Sequence, residues 1–446
     1  MAKAQGIIIS APASNHGKTT VALALASALQ QRGFDFHSFK LGPDYLDPLF
    51  QREVLHIPSY NLDQLLLGER LCQEYFGSPN FALVEGAMGY YDGVGSSTLG
   101  STYEMSKLLK CPTILVIDPK GQGLSAVALA TGFASFKPEA KIQGVILNRL
   151  KPALYPYYQR LFKEHSKLPL LGFLPELEGC SIPNYELGLL PPAEVASAED
   201  IVQRLGEAAS KSLDLEGILD LGRKCGLERE LIPQNNLKDR FKGVKLAVTR
   251  DENFFFYYAD SLEWLKELGV KLCYFSPSRN ESVPDAQALY LGGGYLERCI
   301  KELSANNKFL DSVRVFFRSG RPILAEGAGA VILSQGLRHG EFYELAGLLP
   351  LAYEYSDSLV NFGYAKLRAN KDSLCLLAGE ELTAQQFHHF KALSSEGDFT
   401  VAKISGRTAP DEGQAGDNYL ALQAQIMYRG CPELMLRLLR RAEEFS

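Results

Sequence analysis

Apolar runs alternate with helix-patterned stretches from residue 6 to about residue 205. Candidate strands fall at residues 7–10, 35–40, 81–85, 113–118, 144–148 and 170–175. Several are nearly unbroken apolar runs, as expected of parallel strands covered on both faces. The pattern predicts a doubly wound α/β sheet. Residues 206–240 carry no strong strand signal; they are charged and helical in flavour, with a turn at 233–236. A second α/β unit starts at Lys242, with strands at 244–250, 272–275 and 288–294 and a helix at 261–268. The expected organisation is therefore a first domain over 1–205, a helical linker over 206–241 and a second domain over 242–446.

The turn after the first strand changes the picture. Residues 10–20 read SAPASNHGKTT and open a helix with Val21, Leu25, Ala28 and Leu29 on one face. Strand, loop and helix in that order are what a phosphate-binding loop requires. Unpaired N–H groups at a helix start hold anions. Asn15, His16, Gly17, Lys18, Thr19 and Thr20 are the candidate nucleotide-binding residues; Lys18 reaches the β- and γ-phosphates and Thr19 offers its hydroxyl to Mg²⁺. One position is off-pattern: Pro12 replaces the first glycine of the motif.

Three further segments end beyond strands, where open α/β sheets bind ligands. FKLGPDYLDP (39–48) ends a strand and is expected to place Lys40, Asp44 and Asp47 in one loop, FALVEGAMGYYDG (81–93) delivers Glu85 and then Asp92, and GVILNR (144–149) ends in Asn148 and Arg149. Glu85 suits holding Mg²⁺ opposite Thr19. Asp44 and Asp47 read either as site carboxylates or as caps of the turn after Pro43. Asn148 reads as an adenine-recognising amide or as a turn residue.

Composition excludes more than it assigns. A chain of 446 residues predicts at least two cores, and a net charge of −6 gives no basic footprint for nucleic acid. MAKAQ leads straight into a core strand, and no apolar run approaches 18 residues, so neither a signal peptide nor a membrane span is expected. The eight cysteines form no C-x-x-C pair and read as reduced packing residues of a cytoplasmic protein.

In order and spacing, these motifs resemble the cobyrinic acid a,c-diamide synthase family. Tyr60-Asn61-Leu62-Asp63, IPNYELGLLPPAE (182–194), VTRDENFFFYYADSLEWL (248–265), FSPSRN (275–280) and LYLGGGYLE (289–297) extend the likeness over nearly the whole chain. The resemblance implies a dethiobiotin-synthetase-like ATP domain followed by a flavodoxin-like, class I glutamine amidotransferase domain. It implies ATP and Mg²⁺, and conversion of two acetate side chains of a corrin to amides through an acyl phosphate; related members amidate sirohydrochlorin or siroheme derivatives. On the same ground, Lys18, Lys40, Asp44, Asp47 and Asp92 are the expected catalytic residues, and Thr19, Asp44 and Glu85 the expected metal ligands.

The second half departs from that family at its nucleophile. Where A-E-C-G-G is expected, RPILAEGAGA (321–330) places Gly327 at the cysteine. Gln425 stands at the general base and Met427 at a second histidine; Gln385 and Gln386 replace a His-Glu pair, and Tyr185-Glu186 an Arg-His pair. Glycine cannot form the thioester with glutamine. The expected reaction is ATP-dependent amidation fed by free ammonia or by a separate glutaminase. Two alternatives stay open: amidation of a sirohydrochlorin or siroheme derivative, and a non-catalytic tetrapyrrole- or nucleotide-binding accessory protein. A partitioning-type ATPase is disfavoured, since its second loop lysine is Ala13 here. A homodimer is compatible with all three readings.

Overall fold

The computed structural model describes residues 3–180, 182, 184–185, 188–229, 237–394 and 397–445. The chain divides into two compact units, Met1–Pro233 and Gln234–Ser446. The turn expected at 233–236 and Glu186 lie outside the described residues.

In the first unit, strands and helices alternate: β1 (Gly6–Ser10), α1 (Lys18–Gln31), β2 (His37–Leu41), α2 (Leu46–Val54), β3 (Ser59–Leu62), α3 (Glu69–Gly77), β4 (Ala82–Glu85), α4 (Thr102–Leu108), β5 (Thr113–Ile117), α5 (Leu124–Ser135), β6 (Ile142–Asn148), α6 (Tyr155–His165) and β7 (Leu170–Leu174). The strands form one parallel sheet in the order β3-β2-β4-β1-β5-β6-β7. The chain reverses its direction of winding at β1, so the crevice for a ligand opens beside that strand's carboxyl end. Ile7, Ile8, Ile9, Val84, Leu115 and Ile146 are wholly buried, as strands covered on both faces must be. After β7 come the short ladder of β8 (Asn184–Tyr185) with β9 (Gly188–Leu189), then α7 (Ala198–Ser212) and α8 (Leu215–Arg223).

The linker expected over 206–241 takes in the end of α7 and all of α8, and both helices fall instead within the first unit. α7 packs against α1 and β7, and α8 against β1. Val202, Leu205 and Ala209 of α7 and Ile218 of α8 are buried core residues. The amphipathic face that reads as a linker is the outer cover of the first sheet. α1 is apolar almost all round, with Val21 through Ala26, Ala28 and Leu29 all buried. Such a helix needs cover on more than its sheet side, and α7 supplies it.

The second unit holds β10 (Lys245–Thr249), α9 (Ala259–Glu267), β11 (Lys271–Phe275), β12 (Ala288–Leu291), α10 (Ile300–Ser304), α11 (Asn307–Arg318), β13 (Ile323–Glu326) and α12 (Ala328–Leu333). There follow β14 (Gly336–His339), β15 (Glu341–Glu344), β16 (Tyr353–Tyr355), β17 (Asn361–Ala369), β18 (Glu381–His388), β19 (Phe390–Ala392), β20 (Phe399–Lys403), β21 (Gln414–Ala415), β22 (Tyr419–Leu422) and α13 (Pro432–Glu443). Its main sheet runs β11-β10-β12-β13-β22-β21, parallel except for β21. Two smaller sheets, β15-β14-β16-β19 and β18-β17-β20, accompany it.

Candidate active site

Strand register builds the first site. Asn61 of β3 pairs with Lys40 of β2, Lys40 with Glu85 of β4, and Glu85 with Ile9 of β1. One row across the sheet therefore sets a lysine and a glutamate side by side at the carboxyl edge, next to the loop that leaves β1. Lys40 Nζ donates to Glu85 Oε1 at 2.7 Å and also pairs with Asp47. Thr19 Oγ1 donates to the same Glu85 oxygen at 2.5 Å. Lys18 Nζ donates back to Ala13 O at 3.2 Å, closing the loop on itself. Asp44 Oδ1 accepts from the N–H groups of Leu46 (2.8 Å) and Asp47 (3.3 Å), so it caps the first turn of α2. Asp47 sits in that turn and turns inward to Lys40.

The loop is propped from β6. Gly17 has φ 88°, and a Cβ there would lie 2.0 Å from Asn148 Nδ2; only glycine tolerates both conditions. Asn148, 2% exposed, donates through Nδ2 to His16 O at 3.0 Å. Its amide, read from the sequence as either adenine-recognising or a turn residue, here supports the loop through this bond. Arg149 Nη1 donates to Asn15 O at 3.2 Å and pairs with Asp118 at 3.0 Å. His16 Nδ1 accepts from Asp118 N at 3.4 Å. Thr20 lies half-buried in the first turn of α1. Asp92 is exposed, and its Oδ2 accepts from Gly89 N at 2.9 Å, holding the glycine-rich loop in its turn. Asn61, part of the Tyr60–Asp63 motif but given no role there, donates to Gly42 O at 2.8 Å and Asp44 O at 2.7 Å. An asparagine in an otherwise apolar-flanked strand end is the signal that pointed to it.

Burial shapes the charges. Lys18 is lowered to about 8, first by burial and then by the Lys40 charge. Burial also works against the Lys40 charge, but Asp47 and Glu85 outweigh it and hold the ammonium above its ordinary value. Glu85 is raised by burial, against the pull of Lys40. Asp44 is raised to about 7 by burial and by Asp47. Burial thus leaves Lys40 charged between Asp47 and Glu85 and raises the nearby Asp44 carboxyl towards neutrality.

Among the described residues no group of three or more His, Cys, Asp and Glu forms a ready metal cage. Mg²⁺ in phosphoryl-transfer sites needs few protein oxygens, because phosphates and water complete its shell. Glu85 Oε2 is buried without a hydrogen-bond partner, and the Thr19 hydroxyl lies against Oε1. That oxygen pair fits the ion; Asp44, with Oδ1 engaged in its cap, adds nothing to the pair in this arrangement.

In the second unit, β13 ends at Glu326 and the chain turns at Gly327 (φ 52°, ψ −116°) into α12. This is a sharp strand-to-helix elbow with no side chain at its tip. Gln425, 3% exposed, brings Nε2 to 3.8 Å from where a Cβ on Gly327 would stand. Glu326 is raised to about 7 by burial and accepts from Ile426 N at 3.0 Å.

Comparison with known proteins follows this division. The profile of the CobQ/CobB/MinD/ParA nucleotide binding domain matches residues 7–187, and that of the CobB/CobQ-like glutamine amidotransferase domain matches residues 245–420. Cobyrinate a,c-diamide synthase of Listeria monocytogenes serotype 4b is 33% identical over 391 residues, 86% of each chain. The Clostridium tetani enzyme of that name is 32% identical over 445 residues, 98% of this chain and 100% of the other. The chain belongs to the cobyrinate a,c-diamide synthase family. Among solved structures, MinD of Aquifex aeolicus is 16% identical, with a TM-score of 0.31 over 52% of this chain and 100% of that one.

The glutamine amidotransferase match ends at residue 420, before Gln425. No other thiol stands in for the cysteine of the family elbow among the described residues. Cys299 precedes α10, and Cys431 precedes α13; burial pushes each up to about 12, so neither is a ready thiolate. His388 is lowered to about 4 by burial and holds Phe390 O at 3.0 Å through Nδ1. His389 Nδ1 lies 2.8 Å from Ser356 O, and the ring stacks on Tyr355.

Proposed function

We propose that this member of the cobyrinate a,c-diamide synthase family is an ATP-dependent amide-forming ligase that converts the a and c acetate carboxylates of a corrin to carboxamides, with ammonia as the nitrogen source. A carboxylate oxygen of the substrate attacks the γ-phosphorus of ATP; the bond to the β-bridging oxygen breaks and ADP leaves, giving an acyl phosphate. The nitrogen of ammonia then attacks the acyl carbon, phosphate departs and a proton is shed. Such transfers need positioning and charge neutralisation above all. Lys18 and the Thr19–Glu85 pair are placed for the triphosphate end, where bound Mg²⁺ would neutralise phosphate charge. Lys40 holds Glu85 and Asp47 in place and is the cation nearest to them for an incoming carboxylate. Asp44, with its value near 7, suits accepting the shed proton.

One contrast carries the reading: Lys18, Thr19, Lys40, Asp47 and Glu85 converge in the first unit, while the elbow of the second ends in Gly327. Ammonia enters from solution or from a separate glutaminase. The family's tetrapyrrole substrates, its cytoplasmic setting and the a,c positions come to this chain by the same membership. The test is mass-spectrometric amidation of cobyrinic, hydrogenobyrinic and sirohydrochlorin-type acids with Mg·ATP, fed ammonium chloride or glutamine. Two mass steps of amide formation on a corrin acid with ammonium, and none with glutamine, are expected. Equal turnover with glutamine would overturn the nitrogen source, and product from sirohydrochlorin alone would overturn the substrate. Among the described residues no helix is long and apolar enough to cross a membrane.

A further inference from the structure

The elbow of the second unit carries no side chain at its tip, which raises the question of what fills the space beside it. A Cβ on Gly327 would touch Gly293 Cα at 3.6 Å and Gln425 Nε2 at 3.8 Å. Both are ordinary van der Waals distances, so there is room for a Cβ, although the φ of 52° strains any side chain placed there. Among the described residues, those two are the only heavy atoms beyond the chain neighbours within 4 Å of that point. A carboxamide under attack must come within about 3–3.5 Å of its nucleophile. Here one approach is closed by backbone and another by a carboxamide that belongs to the protein. Gly327 and the 292–294 turn are themselves buried.

Gln425 is fixed in place by its surroundings. Its backbone exchanges both hydrogen bonds with Gln385, at 3.0 and 2.8 Å. On one side Ala424 N donates to Glu412 Oε1 at 3.0 Å; on the other Ile426 N donates to Glu326 Oε1 at 3.0 Å. Gln423 Nε2 reaches Gly327 O at 3.3 Å, so two glutamines bracket the elbow. The Oε1 of Gln425 has no hydrogen-bond partner among the described residues. Packing and the flanking backbone, rather than a bond from that oxygen, therefore keep the side chain over the tip.

We infer that Gln425 is an internal plug that closes the elbow to glutamine, making it a specificity-determining residue for the nitrogen donor. The inference rests on the reading that nitrogen arrives as ammonia, and it adds that the pocket is shut as well as unarmed. Restoring the nucleophile alone leaves it shut.

The test is access. G327C and G327C/Q425A are treated with iodoacetamide in the native state, and labelling at position 327 is resolved by mass spectrometry against buried Cys299 in the same molecule. In G327C, position 327 should label no faster than Cys299; in G327C/Q425A it should label at least tenfold faster, with Cys299 unchanged. Fast labelling in G327C, or no gain in the double variant, overturns the plug. Should the strained backbone at 327 reject a side chain, hydrogen exchange on the wild type and Q425A reads the same property. Peptides covering α12 should exchange at least tenfold faster in Q425A while β10 keeps its wild-type rate; equal exchange overturns the inference. Both measurements run without ATP, tetrapyrrole or ammonia, so they stand or fall apart from the nitrogen-source assay.

Discussion

Lys18 shows how far one residue is bent to a purpose. Its ammonium has a value of about 8 in the fold against 10.5 in the free side chain. Between those values the unfolded chain holds a proton that the folded chain has released, so stability rises with pH across that window. Below pH 8 the whole penalty is present, up to about 3 kcal/mol. Lys18→Met is therefore expected to abolish ATP turnover and yet to stabilise the ligand-free fold at pH 7, by up to about 3 kcal/mol. The gain fades to nothing by pH 10.5; urea titrations at pH 7 and 10.5 measure both ends, and a destabilised variant at pH 7 would refute the argument. The GKT motif made Lys18 and Thr19 legible in the sequence, and the apolar strand that ends at Glu85 did the same for that carboxylate. The cap made by Asp44 was one of its two readings from the sequence; the inward turn of Asp47 and the contact of Asn148 with the loop depend on which way a side chain faces once strands are in register, and spacing alone does not carry that.

Among elements, the contact of α1 with α7 governs the loop. A Cβ on Gly206 of α7 would lie 2.3 Å from Ser27 Oγ and 2.7 Å from Ser27 Cβ of α1. Gly206→Leu should force the helices apart and cost about 2–3 kcal/mol. Because α1 begins at Lys18, the same change should raise KM for ATP with the expressed protein still folded; thermal melts and ATP kinetics check the pair, and an unaltered KM would separate the helix from the loop. The glycine was invisible beforehand because residues 206–240 read as a charged linker, and its partner Ser27 is 179 residues away in sequence. The strands covered on both faces were readable as apolar runs. β3 was not: Ser-Tyr-Asn-Leu at the sheet edge needs no such run. The strands β14–β20 were also unread: most are short, and β17 and β18, nine and eight residues long, interleave exposed or half-buried positions with buried ones instead of forming apolar runs.

On the scale of the whole molecule, each unit has its own core. Leu115, Ile117, Val145 and Leu147 belong to one in the first unit, and Leu246, Leu265, Leu324 and Leu438 to one in the second. Calorimetry is expected to resolve two unfolding transitions, with Mg·ATP raising only the one that belongs to Met1–Pro233. A single transition, or a shift of both, would show that the units unfold together. The depressed ammonium at the loop has a further reach. A triphosphate laid against Lys18 restores its charge, so loading nucleotide must draw protons from the buffer. Near pH 8 that amounts to about half a proton for each molecule filled, and the heat of titration should change with the ionisation enthalpy of the buffer; in Lys18→Arg, always charged, that dependence should vanish.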